Sequence, residues 1–214
     1  MFIKHLPHKT VERLSQYRRA LLLILSKKKT HVFSHEIAQM LHITPVQVRR
    51  DLMLIGYASV MRKGYDIREL IKRIGEVLDA PGGLNVAIIG MGNLGRAITG
   101  YFMGKRTNLN VVAAFDVDPQ KVDKVVAGVK CYHLDQIKKL KGELDITVAV
   151  LAVPPDQAGK VTPLLVSIGI RGIMNFTTVP LKVPDNVFLE EFDMITSIEK
   201  VAYFVKENKQ LQTS

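Results

Sequence analysis

The spacing of apolar residues changes along the chain. From Thr10 to Lys27 it is helical, with Val11, Leu14, Leu21, Leu22 and Leu25 on one side. Ser34 predicts the cap of a short second helix, whose apolar positions are Ile37, Ala38 and Leu41. A third helix starts with Thr44 as N-cap, Pro45 at its first position and Gln47 closing a capping box, and Gly56 stops it. Two helices with a short turn between them predict a helix-turn-helix. Val60 to Tyr65 reads as a small hairpin turning at Lys63-Gly64, where a wing would lie. Asp66 then caps a helix with Ile67, Leu70, Ile71, Ile74, Val77 and Leu78 along one face.

Ala80-Pro81-Gly82-Gly83 interrupts this pattern and predicts a domain boundary. Beyond it, continuously apolar runs alternate with helical ones. NVAIIG, NVVAAFD, ITVAVLAV and GIMNF read as strands, and LGRAITGYFM, PQKVDKVV and DQAGKVTPLLVSIG as helices. Such runs suit a parallel sheet covered on both faces, so a doubly wound, Rossmann-type α/β domain is expected. The last helix, from about Thr196 to Lys209, carries Ile198, Val201, Ala202 and Val205 on one face. The expected division is 1–80, 84–192 and a terminal helical segment, 193–214.

Charge sharpens this division. The net charge is +10, of which residues 1–80 contribute +8 and the rest +2. A basic module joined to a near-neutral one points to nucleic acid as one partner. No apolar run approaches a membrane span, and the start lacks a signal peptide's apolar block, so a cytoplasmic protein is expected. The single Cys131 agrees with a reducing compartment. Five of the six histidines lie in the basic segment without HExxH spacing or companion cysteines, so no metal site is expected.

The candidate chemistry centres on IIGMGNLG, residues 88–95. Gly90 would let a strand turn sharply, Gly92 would let backbone approach a pyrophosphate, and Gly95 would let helix and strand pack closely. The helix N-terminus would face the phosphates. Asp116, 21 residues after Gly95, ends the next strand, where a carboxylate accepts from ribose hydroxyls and repels a 2′-phosphate. NADH or NAD⁺ is therefore the expected cofactor. A dehydrogenase also needs a proton donor near the nicotinamide. Here His133 is the one histidine past the boundary, and its position fits a helix start. The chain thus offers a cofactor site without an evident reaction partner, which points to sensing.

On the third helix, Val48, Leu52 and Ile55 share the core side, and Arg50 points almost directly away. Arg50 and Gln47 are the expected readers of base edges, and Arg49 a phosphate contact. Thr44, Arg62 and Lys63 complete the candidate DNA-contact set.

Together the two halves resemble the Rex family of bacterial redox-sensing transcriptional repressors. The resemblance runs over nearly the whole chain, through RLSQYRRAL, VQVRRDL, GMGNLG, FDVDP, AVP, GIRGIMNF and FDMITSIEKVAYF. It implies a homodimer that binds a palindromic operator and releases it when NADH binds, with NAD⁺ competing weakly. It also implies that the last helix swaps onto the partner subunit. By the same resemblance, Gly90, Gly92, Asn93, Leu94 and Gly95 would cradle the pyrophosphate, Asp116 the adenine ribose, and Val153 and Pro154 would belong to the cofactor pocket. Tyr101 would lie near the nicotinamide and join Asp193 in a switch network, with Arg19 pairing to that aspartate from the other subunit.

The chain departs from the family pattern at the wing, where Ser59, Met61 and Arg62 stand in place of the usual glycine, arginine and glycine. Arg50 stands where lysine is common, and Met53-Leu54 where the family prefers Ser-Tyr. NFTT replaces the usual NFAP. Two other readings stay open on sequence alone. One is a small NAD-dependent oxidoreductase whose basic segment is an oligomerisation arm. The other is a nucleotide sensor with an altered DNA target or a protein partner.

Overall fold

The computed structural model describes residues 6–58, 63–102 and 108–212. The chain forms two compact units, Met1–Pro81 and Gly82–Ser214.

The first unit has four helices, α1 (His8–Ser26), α2 (Ser34–Leu41), α3 (Pro45–Leu54) and α4 (Ile67–Leu78). Two short strands, β1 (His31–Val32) and β2 (Tyr65–Asp66), pair antiparallel. Leu14, Tyr17, Leu21, Ile37, Val48, Leu52, Ile55, Ile67, Leu70 and Ile74 fill one core. The α1 face is rotated from the expected one. Tyr17 and Ala20 are buried, whereas Val11 and Leu22 are exposed. Ser34 is not the cap of α2. Phe33 holds that position, and the Glu36 carboxylate accepts from the Phe33 N–H, 2.9 Å away, reaching one residue further back. The expected Val60–Tyr65 hairpin falls partly on 59–62, outside the described residues, and Tyr65 pairs with Val32.

Arg18 makes two bonds from one nitrogen to the Asp79 carboxylate, 2.7 and 2.9 Å, tying α1 to the C-cap of α4. Gly75 gives that carboxylate room, because a Cβ there would lie 3.2 Å from Asp79 Oδ2. A mid-helix glycine costs about 1 kcal/mol relative to alanine, so the close approach gives this one a physical reason.

The second unit is a seven-stranded sheet of order β5-β6-β4-β3-β7-β8-β9. Its strands are β3 (Leu84–Ile89), β4 (Leu109–Asp116), β5 (Val125–Val126), β6 (Val129–His133), β7 (Ile146–Leu151), β8 (Gly172–Asn175) and β9 (Phe188–Glu191). All pairings are parallel except β5 with β6. Its helices are α5 (Asn93–Phe102), α6 (Ile137–Glu143), α7 (Pro155–Ser167) and α8 (Met194–Gln212). Two buried clusters lie in this unit, one around Phe115, Leu151 and Leu165 and one around Ile88, Met91 and Ile98.

PQKVDKVV is not a helix. Its start folds into turns, and Val125–Val126 pairs back on β6 through a turn at Ala127-Gly128, both of which have positive φ. Val122, Val125 and Val126 are β-branched, and this chemistry outweighed the loose helical spacing. The last helix starts two residues earlier than expected, at Met194.

Gly95 carries the tightest requirement in this unit. A Cβ there would sit 1.9 Å from Gly90 O, inside bonding range of a non-bonded atom. Gly95→Ala is expected to destabilise the second unit by ~3 kcal/mol, read as lost amide-exchange protection in β3 and α5. Unchanged protection would show that the crossing relaxes freely.

Candidate functional site

Two sites emerge, one in each unit. In the second unit, β3 stands where the sheet order reverses, with β4 on one side and β7 on the other. Loops following the carboxyl ends of such strands diverge and leave a crevice. Gly90, at φ +95°, follows β3, and a Cβ on it would lie 2.6 Å from Ala152 O. Gly92 meets nothing within 4 Å, so its backbone borders open space at the start of α5. Val153 and Pro154 follow β7, with Pro154 at the N-cap of α7. The loop after β3 and the loop after β7 are therefore neighbours, pinned by the Ala152 N–H donating to Ile89 O at 2.8 Å.

Asp116 ends β4 and is 8% exposed. Its Oδ2 accepts from the Met91 N–H at 2.7 Å and its Oδ1 from the Asp118 N–H at 2.9 Å. Lys121 Nζ lies 3.3 Å from Asp116 and 3.4 Å from Asp118. Burial alone would push the Asp116 carboxyl up. The Asp118 and Met91 N–H groups and Lys121 outweigh it and hold the carboxyl below its ordinary value. It is thus an anion fixed beside the glycine loop, and Lys121, which sequence reasoning passed over, balances its charge. The signal was present in DVDPQK, two acids with a lysine at helical distance.

Of the other expected cofactor residues, Asn93 opens α5 and its Oδ1 accepts from Arg96 Nη2 at 2.7 Å. Leu94 packs on the Met91 and Ile98 cluster. Tyr101 is 65% exposed and stacks edge-on against Phe102. Asp193 caps α8, with Oδ1 accepting from the Ile195 and Thr196 N–H groups at 2.8 and 3.1 Å. These bonds and the Thr196 hydroxyl lower its pKa. His133 caps a single 3₁₀ turn, Leu134–Gln136, through Nδ1. Among the described residues no cluster of metal-ligating side chains is present. Among those residues, too, no helix is long and apolar enough to cross a membrane.

In the first unit, Thr44 Oγ1 accepts from the Gln47 N–H at 3.2 Å, one half of the expected capping box. The other half does not form. Gln47 Nε2 donates to Asp51 Oδ1 at 3.0 Å instead. Asp51, which sequence reasoning did not single out, is fully buried. It also accepts from Arg13 Nε and Nη2 at 2.6 and 2.8 Å and from the Tyr17 hydroxyl at 2.6 Å. Gln47 is thus half-buried, with its amide engaged by Asp51 on the same helix. Arg49 is exposed and donates to Ser34 Oγ at 3.1 Å, so α2 and α3 are linked across the turn. Arg50 is exposed, as is Lys63 beside the β2 turn, and Arg62 lies outside the described residues. Arg19 is exposed on α1.

A family described as "CoA binding domain" matches residues 83–179, and one described as "Putative DNA-binding protein N-terminus" matches residues 5–52. The chain is 36% identical over 201 residues to the redox-sensing transcriptional repressor Rex of Anoxybacillus flavithermus, covering 94% of each chain. It is 31% identical to that of Lactobacillus acidophilus, covering 96% of this chain and 97% of the relative. Among solved structures it resembles RSP, a Rex-family repressor. The complex of RSP with β-NAD⁺ and operator DNA matches at TM-score 0.88, 28% identity and 98% and 97% coverage. The complex with β-NADH matches at TM-score 0.84, 28% identity and 98% and 99% coverage.

Burial pushes the Asp51 carboxyl up, but Arg13, Tyr17 and Gln47 outweigh it and hold it below its ordinary value. Its stabilising effect is therefore complete above ~3.9, the unfolded carboxylate value, and is lost as pH falls through the lower folded value. Asp51→Ala is expected to cost the first unit ~3 kcal/mol, because Arg13 loses its buried partner. Amide exchange of α1 and α3 would read it. Asp51→Asn should lose the acid-dependent part of that stability, and an unaltered acid profile would show that the anion is not what holds the helices.

Proposed function

Because the chain belongs to the Rex family of redox-sensing transcriptional repressors, we propose that it binds operator DNA and releases it when NADH binds. The observation that carries the reading is the joining, in one chain, of two elements. One is a basic helix-turn-helix with a rigidly braced third helix. The other is a glycine crossing with an ionised carboxylate 2.7 Å from the loop's Met91 N–H.

Gly90, Gly92, Asn93, Leu94 and Gly95 would surround the pyrophosphate at the start of α5, where free N–H groups and the helix dipole favour anions. Asp116 would exchange its contact with the Met91 N–H for the ribose hydroxyls, and its charge disfavours a 2′-phosphate. Val153 and Pro154 border the same crevice from the β7 side. The cofactor supplies a charge difference, since NADH and NAD⁺ differ by one charge at the nicotinamide. A ligand shifts an equilibrium only by its differential affinity for the two states. The chain acts as a sensor and not as an enzyme. The small oxidoreductase reading gains no support from side chains, since His133 is engaged at a helix cap.

Residues 1–80 would form the DNA-binding module, 84–192 the nucleotide domain and 193–214 an arm that crosses to a second copy. Support for the arm comes from α8, whose Met194, Ile195, Ile198, Val201, Tyr203, Phe204 and Val205 are all 45–69% exposed. An isolated helix exposing that much apolar surface calls for a covering partner, and a second copy gives a homodimer suited to a palindrome. Arg19, exposed on α1, would then pair with the partner's Asp193, and Tyr101 would report the nicotinamide to that pair. Thr44, Arg49, Arg50, Arg62 and Lys63 would hold the duplex, in a cytoplasmic setting.

NADH titrated into a protein–operator complex should lower DNA affinity about 5–150-fold, the range of a ~1–3 kcal/mol coupling, with NAD⁺ far weaker. Fluorescence anisotropy measures it, and complexes insensitive to NADH would remove the sensing role. Asp116→Ala should weaken NADH binding ~10–100-fold, the loss of hydrogen bonds to a charged acceptor, as measured by calorimetry. Arg19→Ala should leave NADH affinity intact while abolishing release. Normal release by that variant would place the switch elsewhere.

A further inference from the structure

The face that α3 turns outward differs from the one its polar residues suggest. Asp51 holds the half-buried Gln47 amide at 3.0 Å, so that amide is already engaged. The exposed side chains one turn from Arg50 along α3 are apolar. Val46, one turn before it, is 48% exposed, and Met53, one turn after it, is 71% exposed. Met53 is the most exposed large apolar side chain among the described residues. At 100° per residue, Val46 and Met53 fall on the same side of Arg50. Neither joins the core of the unit. The unit that displays them is the basic one, at +8 over residues 1–80.

An exposed apolar pair beside a guanidinium has a specific counterpart in the major groove. Guanine offers O6 and N7 to an arginine, and thymine offers the one apolar group on that edge, its C5-methyl. Gln47, which could have read adenine, is otherwise occupied. We propose that Val46 and Met53 are specificity-determining residues that bury the C5-methyl of a thymine adjacent to the guanine read by Arg50. This rests on the reading of α3 as the helix that enters DNA. The charge of the surrounding unit favours this occupant over an apolar protein surface, because Arg49 and Arg50 would be desolvated there without an anion.

The test uses the full-length protein and the tightest palindromic duplex recovered from a random library. Each thymine is replaced in turn by deoxyuridine, which removes only the methyl. Wild type is expected to lose affinity about four-fold at one thymine per half-site and about fifteen-fold when both half-sites are changed, the value of burying one methyl group each. In Met53→Ala the penalty at that thymine should disappear, although the variant still binds the thymine-containing duplex and still responds to NADH. Val46→Ala should diminish the same penalty. If no thymine shows a methyl penalty, or if Met53→Ala and Val46→Ala keep the wild-type penalty, the methyl assignment is overturned while DNA binding stands. If no duplex is recovered, the assignment falls together with the DNA-binding reading. A wild-type protein whose Met53 is protected from oxidation by a second copy, without DNA, would overturn it in favour of a protein interface.

Discussion

The buried carboxylate of Asp51 is the constraint on which the first unit turns. A charge with no solvent exposure is tolerable only where donors surround it. Here they come from two helices: Arg13 and Tyr17 from α1, Gln47 from α3 itself. Arg13 and Tyr17 are four residues apart and share a helix face, so both reach one point on α3. The apolar contacts of Leu14, Val48 and Leu52 bring the helices together but are compatible with small slips. Directional bonds to one carboxylate are not. The angle at which α3 leaves the core is therefore set by Asp51, and so is the list of side chains it presents outward.

An equivalent constraint governs the second unit, by exclusion rather than attraction. Gly95 and Gly90 touch backbone to backbone, which fixes α5 against the end of β3. Asp116 then completes the loop by accepting from the Met91 N–H. On the proposed reading the same carboxylate, which accepts from the Met91 and Asp118 N–H groups, would also accept from the ribose hydroxyls. Ligand binding at such a site exchanges one set of donors for another and needs little reorganisation of charge. The Asp118 and Met91 N–H groups, with Lys121, keep that carboxylate ionised.

Four of the strands (β3, β4, β7 and β8), the glycine crossing, the Asp116 position and the Thr44 and Asp66 caps were legible in the sequence, because each is a local rule with a fixed spacing. The misreadings share one cause. Gln47 satisfies the capping-box pattern, yet the pattern cannot see that a buried anion four residues later competes for the same amide. The Pro119–Val126 stretch satisfies a loose helical period, yet Val125 and Val126 pair with β6 across the two-residue turn Ala127-Gly128. Ser34 is a good cap in isolation, yet Glu36 reaches the preceding N–H. In each case a partner only a few residues away along the chain outbid the expected local preference, which is worth ~1 kcal/mol. Asp51 itself left a trace. It sits one step from Leu52 on the core side of α3, and a carboxylate there needs a cation that Arg13 supplies.

The division of labour among the arginines of α1 follows from the same geometry. Arg13 faces α3, Arg18 faces the C-cap of α4, and Arg19 is exposed. Successive side chains on a helix are 100° apart, so adjacent arginines necessarily serve different neighbours. Arg13 and Arg18 are spent on holding the unit's own helices and cannot be withdrawn without leaving the buried Asp51 and the half-buried Asp79 unpaired. Arg19 alone of the three can change partner at small cost. In the proposed switch Arg19 would be the arginine of α1 that changes partner, while the braces at Asp51 and Asp79 tie α1 to α3 and α4. Bracing within the unit, together with one arginine left exposed, is the arrangement the proposed switch would need to convert a small difference in cofactor charge into a displacement of the helix-turn-helix.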